Sequence, residues 1–453
     1  MNKKSLYIMS LIIFILGLLS GFISIKFSLT IIALLALLII IFEDPSRLLY
    51  IVALYGFIDY LFRNIPAINQ FSSFWDELLF ALIIFAWLTK LIYSRKLLIR
   101  FTLIDIYIII LILVSLFLLL MRSPDLKIAI EGIRVVIEYA LWFFVGLNLM
   151  KNAKQFNNII SIYIFMIFCI SLYGIYQYII GVEIPSSWID SSRETYIRTR
   201  VFSIIGSPNV LGSLLAMTIP ISLSLVFYEE NIKKKVYYVI ATLSMIITLA
   251  FTFSRGAWLA FIVSMLIYGI FKDKRIIYML FSIIFIIPVV APSILQRILY
   301  MLSPQYAQSS AKGGRILRWT YAFNVFKENI LFGVGFGRFG GAVAKRNIPN
   351  SFYVDNFYLK SACEMGLIGL IALLSSFIVG IIIATRIVRK ARNSYLRNIG
   401  MGVIIGLVTL LLHNFVENIF EVPMMTTYFW LFLGFVASIK FIDTNAQDES
   451  YGG

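Results

Sequence analysis

The chain has 453 residues, 60% of them hydrophobic and 16% aromatic, and a formal net charge of +16. No globular surface could hide so much apolar side chain, so the composition excludes a soluble domain and predicts a multi-pass membrane protein. The apolar runs match the roughly 17 to 25 residues a helix needs to cross the hydrocarbon core, and they lack the period-two alternation of a membrane β-barrel.

Lys3 and Lys4 precede an apolar run longer than a signal-peptide core, without a clear small-residue cleavage site, so it reads as a retained first helix. Candidate helices are 6–25, 27–42, 48–62, 77–94, 103–121, 129–149, 158–180, 209–228, 236–252, 257–271, 276–292, 357–385, 399–418 and 423–441. They predict one all-α, polytopic transmembrane bundle of about 12–14 helices. Placing the N-terminus inside puts more than half of the 39 lysines and arginines on the cytoplasmic side, in clusters such as Lys90/Arg95/Lys96/Arg100, Lys233/Lys234/Lys235 and Arg386/Arg389/Lys390. Both termini are then cytoplasmic. Most of the net charge is therefore topology and does not call for a nucleic-acid partner. Two long outer segments, 181–208 and 293–356, carry a second basic excess that topology does not explain. Cys169 and Cys363 lie in or beside apolar runs, so neither a disulfide framework nor a metal cluster is expected.

The chemistry is expected in the polar interruption from Gln296 to Leu370. Up to Asn356 it holds eight basic residues (Arg297, Lys312, Arg315, Arg318, Lys327, Arg338, Lys345, Arg346) against Glu328 and Asp355, so it should attract an anion. Ile316, Trp319, Phe323, Phe326 and Ile330 recur at helical spacing, predicting an amphipathic helix along the outer membrane surface. On it, Arg315 and Arg318 are one turn apart and can clamp a phosphate pair. Gly333, Gly335, Gly337, Gly340 and Gly341 follow with no βαβ unit around them, so they read as a flexible helix exit rather than a dinucleotide site.

Several side chains admit two readings. Asp355 is either a general base for a hydroxyl nucleophile or the N-cap of the helix that follows. Arg200, Arg255, Arg315 and Arg318 all face outward and suit either diphosphate oxygens or lipid headgroups. Lys360 and Glu364, four apart, form an ion pair that steadies the outer helix end. His413, the single histidine, lies one turn from Glu417, as a structural or an acid–base pair. Glu131, Arg134 and Glu138 read as an ion network facing the bundle interior. The outer carboxylates are too scattered to predict a metal site.

Arg200 with Gly206-Ser207-Pro208-Asn209, Phe253-Ser254-Arg255-Gly256, Gly314-Arg315 with Trp319 and Gly333-Val334-Gly335, then Asp355-Asn356-Phe357-Tyr358-Leu359 with Glu364 occur in that order. In this the chain resembles the O-antigen ligase and polymerase superfamily, over residues 200–385 with a weaker extension to His413. The resemblance implies a GT-C-like, metal-independent membrane glycosyltransferase without a cofactor, in the cytoplasmic membrane with an extracytoplasmic active site. Its implied partners are an undecaprenyl-diphosphate-linked oligosaccharide donor, a glycan acceptor and the lipid bilayer, with a flippase and chain-length regulators beside it. It implies Arg200, Arg255, Arg315 and Arg318 as diphosphate ligands, Asn356 and His413 as further substrate contacts, and Asp355 as catalytic base. Ligases of the superfamily carry a histidine where Asp355 stands, so the resemblance is nearer a polymerase. A glycolipid flippase, with ionisable groups along a mid-membrane path, and a binding protein for an anionic wall polymer are the readings from other classes.

Overall fold

The computed structural model describes residues 44–66, 68–94, 99–185, 188, 197–290 and 292–448. The expected helices 6–25 and 27–42, and Arg95 and Lys96, lie outside the described residues. All regular structure among those described is helical. The chain divides into two units, Met1–Ile99 with Leu149–Lys151, and Arg100–Asn148 with Asn152–Gly453.

In the first unit the segment expected as one helix, 48–62, is two: α1 (Leu48–Ala53) and α2 (Tyr55–Asn64), followed by α3 (Trp75–Ser94). Trp75 stacks on Phe62 at 5.4 Å, and the Tyr55 hydroxyl donates to Asp76 Oδ2 at 2.7 Å. Lys151 pairs with Asp44.

The second unit contains α4 (Leu103–Met121), α5 (Leu126–Ala140), α6 (Trp142–Leu149) except its last residue, α7 (Ala153–Ile180), α8 (Pro208–Tyr228), α9 (Ile232–Phe251), α10 (Arg255–Phe271) and α11 (Arg275–Val290). Four helices then fill the expected outer loop: α12 (Pro292–Met301), α13 (Pro304–Lys312), α14 (Arg315–Glu328) and α15 (Ala342–Asn347). The chain closes with α16 (Phe357–Lys390), α17 (Ser394–His413) and α18 (Pro423–Asp448). Among the described residues, seven helices are long and apolar enough to cross a membrane: α4, α7, α8, α9, α16, α17 and α18. Hence the described residues form the all-helical body of a multi-pass membrane protein.

The α8–α17 packing is set by small residues. A Cβ on Gly406 would lie 2.3 Å from the Met217 carbonyl oxygen, so only a glycine allows this backbone approach. Hydroxyl pairs bind helix to helix where the interior offers no water: Tyr163 to Thr218 at 2.7 Å, Ser171 to Ser244 at 2.8 Å, Thr409 to Ser264 at 2.7 Å.

The polar segment is stitched into a break in α16. Gly366 has φ +63°, which interrupts the helical ladder and frees groups on both sides of it. Val334 N–H donates to Cys363 O at 2.8 Å and Gly335 N–H to Glu364 O at 3.1 Å, while Leu367 N–H donates to Ile330 O at 2.6 Å. The buried Lys360–Glu364 pair, 2.9 Å, is joined by Glu421 at 3.1 Å from the same ammonium. Glu364 also accepts from Phe339 N–H and Glu421 from Ala342 N–H, so this triad fixes the glycine-rich stretch rather than leaving it a flexible exit.

Two expectations about charge and face change. Arg134 pairs with Glu138 at 3.3 Å, but Glu131 reaches Arg346 of α15, also at 3.3 Å, so the three do not form one interior network. On α14 the buried face is Trp319, Ala322 and Phe326, while Ile316 and Phe323 are about half exposed. The apolar periodicity had merged two faces, one turned to the protein and one away from it.

Gly366→Ala is expected to lower the thermal midpoint of the detergent-purified protein by the equivalent of about 2–4 kcal/mol, because its Cβ would meet Leu331 O in a left-handed backbone. Gly313→Ala, where a Cβ meets nothing within 4 Å, should leave the midpoint unchanged.

Candidate active site

A cavity of about 560 Å³ lies where α8 and α10 begin, and among the described residues five arginines line it: Arg200, Arg255, Arg297, Arg315 and Arg318. Three of them stand on one small apolar cluster. Ile197, Phe253 and Ile294 pack together, each two or three positions before an arginine, so burying these three side chains delivers Arg200, Arg255 and Arg297 to one place. Phe253 adopts φ +51°, a conformation that costs a non-glycine residue about 1–3 kcal/mol. In this turn the Phe253 carbonyl accepts from Arg297 Nε at 2.8 Å and the Thr252 carbonyl from Arg200 Nε at 3.1 Å. Arg200 also donates to Trp188 O at 2.7 Å and to Asn209 Oδ1 at 3.1 Å. The Arg255 guanidinium lies 4.6 Å from the Tyr306 ring centre, a cation–π contact supplied by α13.

A second cluster carries the other half. Ala322, Phe339, Val354 and Cys363 are its buried members, and Trp319 Nε1 donates to Val354 O at 3.0 Å. Anchoring Val354 places the next residue, Asp355, beside α14, again through a left-handed backbone, φ +54°. Asp355 Oδ2 receives Arg318 Nη1 at 2.7 Å and lies 3.7 Å from Arg315 Nε. Arg315 Nη2 is 3.5 Å from Glu417 Oε2, which accepts from Asn209 Nδ2 at 2.6 Å. The site is therefore one polar chain, Arg200–Asn209–Glu417–Arg315–Asp355–Arg318. Both α10 and α14 begin on an arginine of the cavity, and neither Ser254 nor Gly314 caps its helix with a side chain. Their first-turn N–H groups add to a potential that favours an anion.

The structure separates the residues read from sequence. Arg200, Arg255, Arg315, Arg318 and Asp355 line the cavity. Asp355 is not the helix cap: Asn356 is, its Oδ1 accepting from Leu359 N–H at 2.9 Å, so the carboxylate of Asp355 remains free for the arginines. Asn356 is consumed by that cap, its own N–H donates to Asn418 Oδ1 at 3.0 Å, and it does not line the cavity. His413 does not pair with Glu417. The helix ends at His413 and the chain turns, so Glu417 swings toward Asn209 while the imidazole Nδ1 bonds Ser213 and the ring packs on Gly256. His413 supports the first turn of α10 from behind. Of the other loop cations, Lys327 covers Phe323, Lys345 bonds Ser351 O and Arg346 holds Glu131.

Sequence reasoning gave no individual site role to Arg297 or Asn209, and offered Glu417 only as a partner of His413. Arg297 had one signal, a guanidinium flanked by Ile294, Leu295, Ile298 and Leu299; it is 4% exposed.

Burial raises the Asp355 carboxyl above the usual range, against the opposing pull of Arg318 and Arg315. Burial first, and then the charge of Asp355, push Glu417 up to about 7, with Arg315 working the other way. A raised carboxyl favours the folded state while protonated, so its contribution is fully present below about pH 4.5 and is lost as pH rises to about 7. Glu417→Gln should flatten the thermal midpoint against pH across that window, whereas the unmodified protein falls; parallel profiles would show that Glu417 does not titrate there.

Residues 240–374 match the family model described as O-Antigen ligase. The matched stretch contains four of the five cavity arginines and Asp355, and stops before Glu417. No curated protein matches the chain. The matched segment, set in a body with seven membrane-length helices among the described residues, is thus similar to the O-antigen ligase family, which supports the O-antigen ligase/polymerase superfamily.

Proposed function

We propose that the protein transfers or polymerises glycan repeat units from an undecaprenyl-diphosphate carrier, on the outer face of the cytoplasmic membrane and without a metal ion. The observation that carries this reading is the cavity itself: among the described residues, five guanidinium groups converge there beside the carboxylate of Asp355. A sugar diphosphate presents paired anionic oxygens, the geometry that guanidinium forks bind bidentately. The far ends of α9 and α16 carry Lys233, Lys234 and Lys235 and Arg386, Arg389 and Lys390, which by the positive-inside rule supports an extracytoplasmic arginine end.

In the proposed step an acceptor hydroxyl oxygen attacks the anomeric carbon and Asp355 takes its proton. The bond from that carbon to the diphosphate oxygen breaks, and the electron pair leaves with the polyprenyl diphosphate. Arg255, Arg297, Arg315 and Arg200 stabilise the charge that grows on that oxygen. In the structure Arg315 lies between Asp355 and Glu417 at 3.7 and 3.5 Å, and its buried Nε makes no hydrogen bond among the described residues, leaving a donor that a diphosphate would claim. Donor binding would draw Arg315 and Arg318 toward phosphate and release the Asp355 carboxylate as its pKa, held up by burial, suits proton abstraction. A histidine-free centre built on a carboxylate favours polymerase over ligase.

Asp355→Asn is expected to abolish polymer in cells, with single repeat units accumulating on lipid and the protein present at normal level by blot. Full-length glycan trapped on lipid would instead identify a ligase, and an unchanged ladder would remove Asp355 from the chemistry. Arg255→Ala should lose at least a hundredfold in transfer, about 2.7 kcal/mol, with normal membrane insertion; retained activity would take Arg255 out of the diphosphate site.

A further inference from the structure

Helix α14 has two flanks of different character. At about 100° per residue, Ile316 and Phe323 fall to one side of the buried Trp319/Ala322/Phe326 face, and Arg318 and Tyr321 to the other. On the first flank Ile316 and Phe323 are 47% and 49% exposed, and the Lys327 ammonium lies 4.6 Å over the Phe323 ring. Apolar side chains with a lysine reaching outward suit a helix resting on a bilayer.

The second flank is aromatic and rigidly backed. Tyr321 is 53% exposed, yet its ring stacks on Phe339 at 5.9 Å and 20° and touches Phe352 at 5.7 Å. Phe339 and Phe352 in turn meet edge to face at 6.0 Å and 76°. Phe339 belongs to the same buried cluster that seats Val354, so the ring is fixed in the frame that positions Asp355. Tyr321 is one helical turn from Arg318, whose guanidinium binds both Asp355 and Tyr353 O. Phe352 precedes Asp355 by three residues, a separation of at most about 10 Å. That is the reach of a short oligosaccharide.

The geometry points to Tyr321, on its Phe339–Phe352 pedestal, as the platform that binds the acceptor glycan beside Asp355. A pyranose ring has an apolar C–H face that lies on an aromatic ring and hydroxyl edges that turn to polar neighbours, here Arg318 and the backbone around Tyr353. This rests on the transfer reading above. There the diphosphate fills the arginine cavity, and displacement requires the attacking oxygen to approach the anomeric carbon from the side away from the leaving diphosphate. The Arg318/Tyr353 side of Asp355 is where the aromatic platform stands.

The test uses full-length protein in nanodiscs and an oligosaccharide released by mild acid from the source cells' own surface glycan, which carries no diphosphate. Tyr321→Ala, and Tyr321→Leu as the variant that keeps apolar packing on Phe339, should weaken binding of this oligosaccharide at least tenfold, with Tyr321→Phe within about twofold of the unmodified protein. Binding of polyprenyl diphosphate should be unchanged in all three, and cells carrying the first two should make shorter chains. Equal oligosaccharide binding by Tyr321→Leu and the unmodified protein would overturn the proposal, as would a loss confined to association with anionic vesicles, which would assign the ring to the lipid surface. An inert Asp355→Asn protein beside an unaffected Tyr321→Leu would sink the platform alone; an active Asp355→Asn protein would remove Asp355 from the chemistry and with it the step this platform serves.

Discussion

Five guanidinium groups cannot line one cavity unless something offsets their mutual repulsion, and the rest of the site follows from how that is done. At an effective dielectric near 20, two unit charges 4 Å apart interact by about 4 kcal/mol. Here Asp355 lies between Arg315 and Arg318, and Glu417 between Arg315 and Asn209, which in turn holds Arg200. Among the described residues, each of these two carboxylates is shared between two partners in the cluster. Such a site binds an anion by exchanging partners already present, so the arginines need little reorganisation when charge develops.

The cage is assembled from two separately packed halves. The Ile197/Phe253/Ile294 cluster carries Arg200, Arg255 and Arg297; the Ala322/Phe339/Val354/Cys363 cluster carries Arg315, Arg318 and Asp355. Each half contains a non-glycine residue in a left-handed conformation next to a functional group, Phe253 and Asp355. Strain of that kind persists only where surrounding packing over-determines it. For the Asp355 half, the break of α16 at Gly366 and the buried Lys360–Glu364–Glu421 triad supply such packing, by hydrogen-bonding residues 330–342 to α16 and Glu421.

Much of the body was legible in the sequence. Segment 103–121 coincides with α4 because Thr102 and Asp105 form a capping box at the edge of the apolar run. Elsewhere the helices outrun their apolar runs: α7 starts at its Asn152 cap rather than 158, and α17 at its Asn393 cap rather than 399. Hydropathy marks the part in lipid, whereas capping marks the helix. The breaks at Leu54 and Leu141 carry no glycine or proline to announce them. In the site, the arginines were visible as outward charge without a topological reason. The division of labour between Asp355 and Asn356 was not, since either can cap and only backbone geometry chooses. Glu417 was obscured because one-turn spacing from His413 assumes a helix that in fact ends there.

Titrating polyprenyl diphosphate and polyprenyl monophosphate into the purified protein in EDTA tests the central claim most directly. If the arginine cage is a metal-independent diphosphate site, the diphosphate binds at least tenfold more tightly than the monophosphate, and Arg315→Ala removes that difference. Equal affinity for the two lipids, or diphosphate binding that returns only with a divalent cation, would contradict the account.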